Sequence, residues 1–230
     1  MSRFTSLRVA ALAVLALVSL ASCGSDDSNN PFIPTPQARV MAVHASPDAP
    51  AVDLLVDGAV AGSGLAFPNN TGYLTVTAGT RNVKVNVAGS TTTVINADLP
   101  IVAGGNYSVF AKGAVASIGA LVIADDLTTP AAGKAHVRFV HLSPDAPAVD
   151  VAVTGGPVLF GNKAFEEYTA FAPVDAGTYD LEVRPAGSGT VVLALPGVAL
   201  QSGKIYTVFA RGFLNGSGGQ ALGAQIIVNN

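Results

Sequence analysis

Three stretches of this chain occur twice. HASPDAPAVD at positions 44 to 53 returns as HLSPDAPAVD at 141 to 150, with nine of ten letters unchanged. AGTRNVKVNVAGS at 78 to 90 is matched by AGTYDLEVRPAGS at 176 to 188, and AGGNYSVFAKG at 103 to 113 by SGKIYTVFARG at 202 to 212. The offset is 97 residues between His44 and His141, 98 between Gly79 and Gly177, and 99 between Tyr107 and Tyr206. Spacing that slips only by single residues means two copies of one folding unit, and each copy must find its own core.

Within each copy the dominant period is two. Val83, Val85 and Val87 alternate with Asn82, Lys84 and Asn86, and their counterparts Tyr179, Leu181 and Val183 alternate with Asp180, Glu182 and Arg184. Such alternation marks half-buried antiparallel strands. Asp57-Gly58, Ala78-Gly79, Gly104-Gly105 and Asn215-Gly216 punctuate the runs with turn residues, and no amphipathic helical stretch of useful length follows residue 23. About seven short strands in roughly 90 residues predict an all-β fold: two tandem antiparallel β-sandwiches of immunoglobulin-like or transthyretin-like kind. A single barrel built by both copies is the structural alternative. The copies are expected at 38–127 and 135–230, with a linker at 128–134 around LTTPAAGK.

Residues 1–22 read as a targeting segment. Arg3 and Arg8 precede an unbroken apolar run from Val9 to Leu20, and twelve helical residues rise about 18 Å, too short for about 30 Å of hydrocarbon. Leu20-Ala21-Ser22-Cys23-Gly24 then resembles the lipobox of bacterial lipoproteins, which implies cleavage before Cys23 and lipidation of its thiol. Cys23 is the only cysteine, so no intramolecular disulfide or cysteine metal cluster can form. Several acyl chains anchor a protein lastingly where one does not. The expected localisation is the bacterial cell envelope, and in a Gram-negative organism Gly24 after the cysteine implies the outer membrane. Residues 23–37 carry the lipid and then a polar tether in which Pro31, Pro34 and Pro36 favour extended chain.

VHASPDAPAVDLLVDG, AGTRNVKV and NYSVFAKG, repeated in the second half, together resemble the bacterial family called domain of unknown function 4397, over nearly all of 38–230. The resemblance implies an envelope or extracellular β-sandwich module, often repeated, and carries over no catalytic residue. The second copy departs at Thr154-Gly155-Gly156, where the first has Asp57-Gly58-Ala59, so Asp57 belongs to no site shared by both.

The decapeptide holds the candidate site residues: His44, Ser46, Pro47, Asp48, Pro50 and Asp53, with His141, Ser143, Pro144, Asp145, Pro147 and Asp150. In the leading reading they are structural. The prolines fix φ, the serine and aspartate bond to nearby amides, and the histidine, pointing inward at a strand end, donates to a loop carbonyl or to Asp48. A second reading makes Asp48 and Asp53, with Asp145 and Asp150, oxygen ligands for calcium, although such sites want six to eight oxygens. A third makes His44, Ser46 and Asp48 a hydrolytic set, against which stand the proline after the serine and the missing oxyanion loop.

Other signals narrow the function. Tyr73, Tyr107, Tyr168, Tyr179 and Tyr206 offer a sugar-stacking face if exposed, but Tyr107 and Tyr206 fall at equivalent strand positions, where a core or sheet-corner tyrosine is expected. Phe110 and Phe209 face the other way; if both faces are covered, the copies pack on one another. Glu166-Glu167 is matched by Asn69-Asn70, which leaves a glycosidase pair unsupported. The charge of −3, near −5 after cleavage, and the lack of any basic run exclude nucleic-acid binding. No cofactor is implied. The expectation is a non-enzymatic envelope lipoprotein whose partners are the membrane, through its lipid, and an envelope polymer or protein; the alternatives are a carbohydrate-binding module and a hydrolase.

Overall fold

Alternation along the chain turns into strands that each bury one face, and four of those strands bury both. The computed structural model describes residues 34–230; the expected signal peptide, Cys23 and the expected tether up to residue 33 lie outside the described residues. The first copy supplies β1 (Gln37–His44), β2 (Val52–Val56), β3 (Ala59–Leu65), β4 (Asn70–Thr77), β5 (Gly79–Val87), β6 (Thr93–Ile101), β7 (Asn106–Lys112) and β8 (Gly119–Ala124). The second supplies β9 (Lys134–His141), β10 (Val149–Val153), β11 (Val158–Lys163), β12 (Ala172–Asp175), β13 (Gly177–Pro185), β14 (Leu193–Leu200), β15 (Ile205–Arg211) and β16 (Gly223–Val228). Repeat one thus ends its last strand at Ala124, and the second begins at Lys134, inside the expected linker.

Four separate four-stranded sheets form, in the orders β4-β1-β7-β8, β3-β2-β5-β6, β12-β9-β15-β16 and β11-β10-β13-β14. The first pair encloses a core that includes Val40, Val52, Leu54, Val83, Val85, Ile95 and Val109; the second encloses Val137, Phe139, Val149, Val151, Leu181, Val183 and Val208. These are two sandwiches, not one barrel. In an immunoglobulin constant-type domain the first two strands share a sheet, whereas here β1 and β2 lie in opposite sheets, as do β9 and β10. That leaves the transthyretin-like arrangement of the two expected.

The expectation of purely antiparallel sheets needs one correction. β1 runs parallel to β7, from Arg39 opposite Asn106 to His44 opposite Ala111, and β9 runs parallel to β15. These four central strands are buried almost continuously, as strands covered on both faces are. Neither of their faces reads as polar in the sequence for that reason.

What covers the second face is the other copy. Met41, Val43, Ala45, Phe110 and Ile123 pack against Val140, Leu142, Phe209 and Ile227, with Phe110 and Phe209 edge to face at 5.8 Å. Thr35 to Asn230 accordingly forms one compact unit. At the rim, the Lys112 ammonium lies 5.7 Å from the Phe165 ring and the Arg211 guanidinium 5.5 Å from the Phe67 ring, a related pair of contacts across the same interface.

One buried ion pair crosses this interface. The Arg138 guanidinium, 1% exposed, is ion-paired with Asp125 at 2.7 Å and donates to Thr207 Oγ1 at 2.8 Å and to Ser108 Oγ at 3.0 Å, and its carbon lies 4.5 Å from the Phe171 ring. Asp125 also accepts from Ser108 Oγ at 2.8 Å and from the Tyr73 hydroxyl, while Asn229 links Thr207 to Tyr73. Arg138 stands where the first copy has Met41, and Asp125 where the second has Asn229. The two faces therefore complement each other in charge without being identical.

Candidate functional site

Each decapeptide is the crossing between sheets. β1 ends at His44, the chain turns through Pro47 to Ala49, and β2 starts at Val52 in the opposite sheet. The His44 ring is fully buried, and its Nε2 lies 3.0 Å from the Pro50 carbonyl; His141 repeats this at 3.0 Å from the Pro147 carbonyl. A carbonyl can only accept, so Nε2 carries the proton and Nδ1 is bare. Both Nδ1 atoms are buried without a partner. Burial holds both imidazoles below the usual histidine range, so they are neutral at pH 7.

The carboxylates bind amides. Asp48 Oδ1 accepts from the Val115 amide at 2.8 Å and Asp145 Oδ1 from the Leu214 amide at 2.7 Å, which pins the corner to the loop that follows β7 or β15. Asp53 accepts from Gly64 at 2.8 Å and Gly89 at 2.9 Å; Asp150 accepts from Asn162 at 2.7 Å and Gly187 at 2.9 Å. Each clamps two turns at once. The Gly89 and Gly64 amides lower Asp53 below the ordinary carboxylate range, and those of Gly187 and Asn162 do the same for Asp150. Ser143 Oγ donates to the Gly212 carbonyl at 2.6 Å; Ser46 Oγ is buried without a partner.

The structure therefore brings together the histidine and a proline carbonyl, and it separates the rest. Asp48 and Asp53, which the calcium reading placed on one ion, bond to different segments, as do Asp145 and Asp150. Among the described residues no group of three or more His, Cys, Asp or Glu side chains is gathered as a metal site. His44 hydrogen-bonds neither Ser46 nor Asp48. The apolar cavities beside His44 and His141 measure about 20 and 50 Å³, against the several hundred a ligand pocket occupies.

Tyr107 and Tyr206 are sheet-corner residues: their hydroxyls accept from the Val102 and Gln201 amides at 3.1 and 3.0 Å. The Tyr179 hydroxyl donates to the Asp175 carbonyl, and Tyr73 lies in the interface network. Only Tyr168 among the five is more than a third exposed, at 44%. The pairing of the second copy's acidic dipeptide also shifts by one residue. The His141 amide bonds the Glu167 carbonyl as that of His44 bonds Asn69, so Glu167 stands for Asn69 and Glu166 for Pro68.

The family model described as Domain of unknown function (DUF4397) matches residues 38–152, half of the chain. The chain belongs to that family. The DUF4397 span covers the first sandwich from the second residue of β1 onward, continues through β9 into β10 and contains both decapeptides. Among curated proteins, none matches the chain.

Two features escape a reading of the motif alone. The Arg138–Asp125 pair leaves one trace, a charge in one copy where the other is neutral. Asp57 and Arg81, joined at 3.0 Å, leave the same trace, since the second copy has Thr154 and Tyr179 at those places.

Proposed function

We propose that this protein is a non-enzymatic module of the bacterial cell envelope, held by lipid on Cys23 and acting in binding, adhesion or envelope organisation. One observation supports the non-enzymatic part: the repeated motif directs its histidine and its aspartates to the chain's own backbone, so the most reactive residue types serve as fasteners. A hydrolase would need the serine and histidine joined and open to substrate. The carbohydrate-binding alternative draws less support, because the tyrosines do not form an exposed row. The anchor rests on the lipobox resemblance.

Two experiments test the proposal. Cys23→Ala should move the protein out of the membrane fraction, and persistent membrane association overturns lipid anchorage. An esterase and peptidase panel should give the same background for the wild type, His44→Ala and His141→Ala. Activity that vanishes with either histidine overturns the non-enzymatic reading.

A further inference from the structure

The faces that join the two sandwiches are built from equivalent residues. Phe110, opposite Val43, and Phe209, opposite Val140, hold the same place on β7 and β15, and their rings meet edge to face at 5.8 Å. Ser108 and Thr207 are a second equivalent pair, and one guanidinium reaches both: Arg138 donates to Thr207 Oγ1 at 2.8 Å and to Ser108 Oγ at 3.0 Å. Residues that meet at their own counterparts mark an approximate twofold axis. The sandwiches therefore face each other as the halves of an isologous dimer do, and two such meetings at successive levels of β7 and β15 set the axis along those strands.

An isologous face pairs with a copy of itself unless its chemistry forbids it. The apolar part forbids nothing, because Val43, Phe110 and Ile123 on the first face match Val140, Phe209 and Ile227 on the second. The polar centre differs. Tyr107 lies opposite Ala124 as Tyr206 lies opposite Val228, so Asp125 and Asn229 hold equal places; by the same kind of register Tyr73 corresponds to Phe171 and Met41 to Arg138. The first face is thus Met41, Tyr73 and Asp125, and the second is Arg138, Phe171 and Asn229.

Only the unlike pairing balances. Two first faces would bury two Asp125 carboxylates about the axis with no cation between them. The Arg39 side chain of that face is committed at its exposed margin, where Nε donates to Asn106 at 2.7 Å. Two second faces would bury two Arg138 guanidiniums with no acid. Each uncompensated buried charge disfavours like pairing by about 100-fold or more. Like charges brought together are how an interface rejects a wrong partner whose apolar surface fits.

We propose that the Arg138–Asp125 pair is a pairing code: it makes each sandwich face accept the unlike face and reject its own kind. The chain then closes on itself instead of joining face to like face with other chains. The pair's contribution lies in this choice of partner more than in net stability, since a buried ion pair repays little more than its own desolvation. This inference goes beyond the reading of the protein as a binding module and does not depend on it.

The test uses the chain from residue 23 onward with Cys23→Ser. Arg138→Met with Asn229→Asp puts the first copy's residues on both faces, and Met41→Arg with Asp125→Asn puts the second copy's on both. Each double variant alone should remain a single chain by light scattering at about 10 µM, with its strands retained on the two separate cores. Mixed in equal amounts, the two should form a complex of two chains, because every face then finds its complement. All four substitutions in one chain move the pair to the symmetry-related places, Arg at 41 and Asp at 229, and should bring the urea midpoint nearer to the wild type than to either double variant. A mixture that scatters as separate chains, equal association of either variant with itself, or a quadruple variant no more stable than the doubles overturns the proposal. Should a double variant fail to fold, the quadruple variant decides. None of these outcomes bears on the hydrolase panel or on membrane fractionation.

Discussion

Removing the carboxylate of Asp125 should expose how the two sandwiches are joined. Asp125→Ala leaves the Arg138 guanidinium, 1% exposed, without its counter-charge, and leaves Ser108 Oγ and the Tyr73 hydroxyl without an acceptor. Breaking a buried pair from one side costs about 3–5 kcal/mol, a large part of the roughly 5–15 kcal/mol that holds a domain folded. For a chain of this length that lowers the unfolding midpoint by roughly 6–20 °C. Asp125→Asn with Arg138→Met gives each face the residue its counterpart copy carries and removes both charges together. Most of the loss should then return, so the costs of Asp125→Asn and Arg138→Met made singly should together exceed that of the double by about 3 kcal/mol or more. Urea titrations followed by circular dichroism measure the wild type, Asp125→Asn, Arg138→Met and their double, with Asp125→Ala beside them. Burial and the Asp125 hydrogen bond raise the Tyr73 phenol to about 12, so stability present below about pH 10 should fade as pH rises toward 12. Single variants costing under about 1 kcal/mol, or a strictly additive double, would refute the account of the pair.

Phe110→Ala should cost about 3–5 kcal/mol, because the ring is fully buried between the copies against Phe209; denaturant midpoints check it. Both motif histidines have folded pKa values lowered by burial, so the native state resists protonation. Stability should be full above about pH 6.5 and decline as pH falls below it, and His44→Gln with His141→Gln should flatten that slope in chemical unfolding at pH 7.5 and 5. Asp53→Ala should speed hydrogen exchange at the Gly64 and Gly89 amides together, with little change elsewhere, as read by two-dimensional NMR.

Much of the fold is legible in the alternation of Val83, Val85 and Val87 and in the repeated corner, since a period of two leaves few ways to bury a chain. The parallel pairing of β1 with β7 is not, because alternation looks the same for either strand direction. The packing of the copies shows at Phe110 and Phe209, but the buried charge at Arg138 does not. A residue that lies next to Val137 and Phe139 and finds its counter-ion in the other copy has no local signature. Comparison of the copies recovers it: Met41 against Arg138, Asn229 against Asp125, and Tyr179 against Arg81 are the places where two similar folds are built differently. The corner carries the opposite lesson. His44, Ser46 and Asp48 are the residue types of catalysis, and only their geometry, histidine to proline carbonyl, aspartate to a remote amide and serine buried apart from both, shows them held within the fold.

The claim that the repeated motif fastens the fold is tested most directly by the protonation of its two histidines, read from nitrogen-15 shifts of the imidazole rings. The account predicts that His44 and His141 are both neutral at pH 7, protonated at Nε2, with that proton slow to exchange because the Pro50 and Pro147 carbonyls hold it. Rings protonated at Nδ1, or imidazolium at neutral pH, would contradict it.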